Sequence, residues 1–142
     1  MFKFKYQSIE DIKKIFEEKA KKELSLTEKK IDQANDDKIK LLQEKDDVSN
    51  NIINGTYKSS VLRNYQLYKD YLSSMIVRKE EELQELENIK EEQRKLLLQN
   101  SKEHKIFSSL HETHLSEFKL EENRKELKQS DEYATIKFSR TN

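Results

Sequence analysis

The sequence contains no cysteine, no proline, no tryptophan and a single glycine, Gly55, in 142 residues. Without cysteine there is no disulfide framework and no thiolate chemistry, which suits a reducing compartment. One glycine and no proline supply turn chemistry for about one chain reversal, too little for a compact α/β enzyme. Nor can a glycine-poor chain cradle a phosphate in a P-loop or a dinucleotide-binding fingerprint. Net charge is missing as well: 28 basic and 28 acidic residues cancel, so the chain lacks the basic excess of a nucleic-acid binder. The N-terminus has no apolar run of about 7 to 15 residues to read as a signal peptide, and no stretch approaches the roughly 20 of a membrane span. The expectation is a cytoplasmic protein with no direct membrane span and no nucleic-acid partner.

What is present is charge of both signs, 39% of residues against 33% hydrophobic. The signs are interleaved, a pattern of long helices and coiled coils rather than of disorder. Ser8 is a candidate N-cap. The spacing then places Ile9, Ile12, Phe16, Ala20 and Leu24 on one face, followed by heptads through Thr27, Ile31, Ala34, Lys38, Leu41, Lys45, Val48 and Ile52. The extra four-residue step between Phe16 and Leu24 reads as a stutter. Asn54-Gly55 offers the turn, and Ser59 or Ser60 a cap for a second helix. That helix has the candidate seam Tyr65, Tyr68, Leu72, Met75, Lys79, Leu86, Ile89, Gln93, Leu96, Asn100, Phe107, Leu110 and His114, with Leu83 and Phe118 one residue out of phase.

The expected architecture is therefore all-α, a long two-helix antiparallel coiled-coil hairpin with a C-terminal helical overhang. It reads as one coiled-coil rod: helix 1 over about 8–50, a loop over about 51–60, helix 2 over about 61–132, then a short tail. With Gly55 as pivot, residue i lies beside about residue 110 − i, leaving roughly the last 30 residues without a partner in their own chain. Phe2, Phe4 and Tyr6 alternate with Lys3 and Lys5 at strand spacing, and the hairpin puts them at the base of that overhang. Both chain ends thus bring apolar side chains to one place, where self-association or another protein must cover them.

Candidate chemistry is sparse. A two-helix coil has no concave pocket to hold a Ser-His-Asp constellation, so enzyme activity and cofactors are not expected. His104, His111 and His114 share a helical face and could supply metal ligands, but nothing completes a tetrahedron, and seam or rim positions are the simpler reading. The acidic run KEEELQELENIKEEQ reads as a solvated helix face. Tyr57, Tyr65, Tyr68 and Tyr71 cluster after the loop with Leu67 and Leu72. A two-stranded seam cannot bury them all, so Leu67 and Tyr71 are expected outside, in a wider local stripe or a protein-binding patch.

Three segments together resemble the FliJ family of bacterial flagellar export and its injectisome counterparts of the YscO type: MFKFKYQSIEDIKKIFEEKAKKEL, LRNYQLYKDYLSSMI and DEYATIKFSR. Glu10 stands where the family pattern carries an apolar residue. The resemblance implies a non-enzymatic stalk of the type III export apparatus that enters the hexameric export ATPase (FliI-like), contacts the cytoplasmic part of the export gate protein (FlhA-like) and escorts export chaperones. Such a protein would work peripherally at the cytoplasmic face of the inner membrane. Carried onto this sequence, the gate-binding positions are Tyr68, Leu72, Met75 and Lys79. The ring-inserting positions are Phe2, Phe4, Phe118, Tyr133, Phe138 and Arg140. A generic coiled-coil scaffold or holding chaperone acting by self-association is the alternative reading.

Overall fold

A computed structural model describes residues 1–141. Two helices, α1 (Gln7–Asn54) and α2 (Ser59–Thr141), pack against each other as an antiparallel hairpin, with no strand among the described residues. Both helices outrun the expected bounds: α1 starts at Gln7, and α2 continues through the region expected to be a tail. Ser8 and Ser59 lie inside the first turns rather than at caps. The first turn of α1 is closed by Gln7 N–H donating to the Phe4 carbonyl and Glu10 N–H to Tyr6, and that of α2 by Val61 and Leu62 N–H donating to Lys58.

Four residues, 55–58, make the reversal. Gly55 has a negative φ, so the turn does not draw on glycine's left-handed freedom. What it uses is the missing side chain, because a Cβ at Gly55 would run into the Tyr57 ring. That ring packs edge-on against Tyr65 at 5.1 Å.

The chain forms two compact units, residues 19–97 and residues 1–18 with 98–142. In the first, Ala20, Thr27, Ile31, Ala34 and Val48 of α1 and Leu72 and Ile76 of α2 are buried. Small side chains at Ala20 and Ala34 let the helix backbones approach. The Thr27 hydroxyl is satisfied by the Glu23 carbonyl at 3.1 Å. Lys38–Glu80 and Asp37–Lys79 pairs, both at 3.4 Å, place residue i beside about residue 117 − i, several residues from the expected register; a reversal centred on the four-residue loop 55–58 instead of on Gly55 accounts for about half of that difference.

Burial along each helix follows a cleaner rule than the hydrophobic pattern. On α1 the covered positions step by three and four from Glu10 through Lys13, Glu17, Ala20, Leu24 and Thr27 to Ile52. There is no stutter. Ile9, Ile12 and Phe16, expected in the seam, are 40–48% exposed. On α2 the same stepping runs from Tyr65 through Lys69, Leu72, Ile76, Lys79, Leu83 and Leu86 to Lys90, Gln93, Leu97 and Asn100, and on through His104, Phe107, His111 and His114 to Phe118. Leu83 and Phe118 are in phase. Tyr68, Ile89 and Leu96 lie outside it, replaced by Lys69, Lys90 and Leu97; the apolar stems of the two lysines can cover a seam while their heads reach water.

The phase makes a direct stability contrast. Ile76→Ala removes a buried side chain and should cost about 2–3 kcal/mol, whereas Leu96→Ala, at a half-exposed position, should cost under about 1 kcal/mol; urea denaturation followed by circular dichroism measures both.

Candidate functional site

Two surfaces hold the residues singled out in the sequence. The first lies in the unit built from residues 1–18 and 98–142. Residues 1–6 precede α1 as a non-helical segment, and their alternating aromatics all reach α2. Phe2 meets Phe118 at 5.4 Å between ring centroids, Phe4 stacks on His111 at 4.5 Å with planes 9° apart, and Tyr6 meets Phe107 edge-on at 6.4 Å. Phe4 is 7% exposed. Strand-like spacing here therefore makes an extended segment laid on a helix. The aromatic start has a partner in its own chain after all.

Beneath these rings the seam is polar. His111 Nδ1 lies 2.7 Å from Glu10 and His104 Nδ1 2.8 Å from Glu17. Lys13 donates to Glu103 at 2.8 Å, and Asn100 donates to the Phe16 carbonyl at 3.4 Å. Hydrogen bonds from Lys13 first, then Gln99, hold the Glu103 carboxyl below its ordinary range. The three histidines are thus structural neighbours of carboxylates and aromatic rings. No group of three or more metal-ligating side chains occurs among the described residues.

From Asn123 to Thr141 every residue of α2 is exposed. Of the six positions assigned to ring insertion, Phe2, Phe4 and Phe118 are gathered at the base of this segment and committed to intrachain packing. Tyr133 (73% exposed), Phe138 (70%) and Arg140 stand on the unpartnered helix.

The second surface follows the loop, in the unit of residues 19–97. Tyr68 donates to Glu44, and its ring stacks with Tyr71 at 6.3 Å. Leu67 and Tyr71 are both more than half exposed, as their helical positions require. Of the remaining gate-binding positions, Leu72 is fully buried in the seam, Met75 is half-buried, and Lys79 bridges Glu82 at 2.9 Å and Asp37. The four therefore do not share one open face. Tyr68 is exposed beside Leu67 and Tyr71, which spacing alone could have grouped with it once the seam phase was known. The hydrogen bond to Glu44, followed by partial desolvation, raises the Tyr68 phenol above the ordinary tyrosine range. Lys79 is likewise held above the lysine range, chiefly by Glu82.

A family model described as "Flagellar FliJ protein" matches residues 2–142. No curated protein and no solved structure gives a match.

Tyr68 and Glu103 are shifted in opposite directions. Glu44→Gln should bring the Tyr68 titration down toward its ordinary value, read by ultraviolet absorbance. The Lys13–Glu103 pair contributes stability above the ordinary carboxylate range and loses it as pH falls through the depressed Glu103 value. In Lys13→Met that low-pH loss should shrink, a comparison of acid denaturation curves.

Proposed function

The chain belongs to the FliJ family and is a flagellar export protein; within that role we propose that it is a non-enzymatic stalk whose unpartnered C-terminal helix enters the hexameric export ATPase. The observation that supports this reading is the run from Asn123 to Thr141, helical and entirely exposed, yet bearing Leu127, Tyr133, Ile136 and Phe138. A lone helix with such side chains is suited to burial against another protein. Its charges are mixed, with Arg140 in the last turn, so insertion relies on apolar contact with polar rims rather than on one-signed attraction. Phe2, Phe4 and Phe118 serve in this reading as the collar that fastens the N-terminal segment beneath the inserted helix.

The gate contact is placed at the loop-proximal tyrosines, with Tyr68 at its centre and Tyr71 and Leu67 beside it. Leu72 and Met75 support the helix under that patch, and Lys79 ties its lower edge to α1 through Asp37. Exposed tyrosines give large contact area at small cost in side-chain order. Escort of export chaperones and a peripheral position at the cytoplasmic membrane face complete the proposal; no helix among the described residues is long and apolar enough to cross a membrane.

ATP hydrolysis and ring assembly by the export ATPase, with and without this protein, test the reading. Wild type should stimulate both, and a Tyr133→Ala, Phe138→Ala variant, altered only at exposed positions, should keep its helicity and lose most of the stimulation. Full stimulation by that variant would remove the C-terminal helix from the mechanism.

A further inference from the structure

On α2 a second row of positions, facing away from the seam, also steps by three and four. It starts at Ile106 and passes Ser109, Thr113 and Ser116 to Leu120. It continues through Asn123, Leu127 and Ser130 to Ala134. All nine positions are exposed and none is charged, in a chain where 39% of residues are. Its large members, Ile106, Leu120 and Leu127, are 57–65% exposed. A solvated helix back would carry charge at several of these positions; an unbroken heptad row that avoids it has the pattern of a coiled-coil seam about 42 Å long.

The flanking charges say what covers it. One edge of the row carries Glu117, Arg124 and Asp131, the other Glu112, Lys119 and Glu126. Glu117, Lys119, Arg124 and Glu126 make no ion pair within the chain among the described residues; Lys125 alone takes Glu121 and Glu122. A parallel second copy would set Glu112 against Glu117, Lys119 against Arg124, and Glu126 against Asp131, like charges throughout. An antiparallel copy centred between Glu121 and Glu122 reverses this. Leu127 then sits over Ser116 of the second copy and Leu120 over Asn123. Along the edges Glu117 meets Arg124, and Lys119 meets Glu126, each pair repeated by the two-fold axis. Sliding one heptad in either direction puts Glu117 or Arg124 against its own symmetry mate. Sliding two heptads toward the N-terminus drives Lys102 into the seam over Leu127.

We infer that the outward face of α2 from Ile106 to Ala134 is a docking seam for a second copy of this chain, antiparallel and centred between Glu121 and Glu122, with its register fixed by the Glu117–Arg124 and Lys119–Glu126 pairs. This pairing covers the helix that ATPase insertion requires, so dimer and inserted stalk exclude each other. The inference itself needs no export component for its test.

Sedimentation of the full chain over a concentration series should show a reversible monomer–dimer equilibrium. Leu127→Asp and Arg124→Glu should each weaken it about tenfold or more, and Glu117→Arg combined with Arg124→Glu should restore it. Because the chain has no cysteine, disulfide trapping reads the register without background. Ser116→Cys with Leu127→Cys should give a linked dimer under oxidation, and Leu127→Cys alone should not. A chain that stays monomeric at every concentration overturns the inference. So does cross-linking of the single Leu127→Cys variant, which marks a parallel pair, or failure of the double variant to link in a chain that does dimerise.

Discussion

A seam between two helices hides one narrow stripe on each, and residues one position to either side are half in water whatever their chemistry. In this molecule that stripe keeps strict three-and-four stepping, and most features of both units are consequences of its phase. The phase suits Ala20, Ile31 and Ala34 of α1 and Leu72 and Ile76 of α2, the small and branched side chains that it buries. α1 is one uninterrupted helix, so the same phase carries back into its first turns. There it brings Glu10, Lys13 and Glu17 inward and turns Ile9, Ile12 and Phe16 outward. Recovering those three apolar residues would require a stutter, and a local change in helix winding would then have to be accommodated.

The polar turns that result hold together by matched neighbours more than by burial. Glu10 with His111 and Glu17 with His104 repeat one offset seven residues apart, so slipping the register would break both at once. Partly exposed pairs of this kind add little net stability, but leaving one member without its partner is costly, and that asymmetry specifies alignment. Apolar burial missing from the seam is returned from outside it: Phe2 and Phe4 lie across His111 and Phe118. The aromatic N-terminus is thus a clasp over a polar joint, a role for which an extended segment with alternating side chains is suited, since both Phe2 and Phe4 can face one helix while Lys3 and Lys5 stay in water.

The two-helix hairpin and its reversal near residue 55 were legible because glycine is scarce and the charge pattern is helical throughout. From Ala20 to Ile52 the seam was legible as well, since apolar and small residues there coincide with the geometric phase. It was misread where they part: Ile89 outranks Lys90 in hydrophobicity and Leu96 equals Leu97, yet Lys90 and Leu97 hold the seam, because phase is inherited along a continuous helix rather than chosen residue by residue. The family's terminal motifs were recognisable since a Phe-x-Phe opening is not something a coiled coil demands. What they could not reveal is that Phe2, Phe4 and Phe118 pack on one another's neighbours, while Tyr133 and Phe138 stand free, a division that depends on α2 losing its last covered residue at Glu122.

A helix that must be offered to another protein cannot bury its apolar side chains at home, and left bare it invites indiscriminate association. The outward row on α2 answers this with a restricted self-partner. Its centre is thinned by Ser109, Ser116 and Ser130, which limits the apolar area any pairing can bury and so keeps the contact reversible. Its edges carry alternating signs that reward one antiparallel register and penalise the parallel one, so specificity comes from charge placement instead of from strong attraction. Weak affinity and strict register are compatible aims when burial and charge are assigned to different rows of the same helix. A partner with a better-packed groove for Leu127, Tyr133 and Phe138 then displaces the second copy without either protein having to unfold.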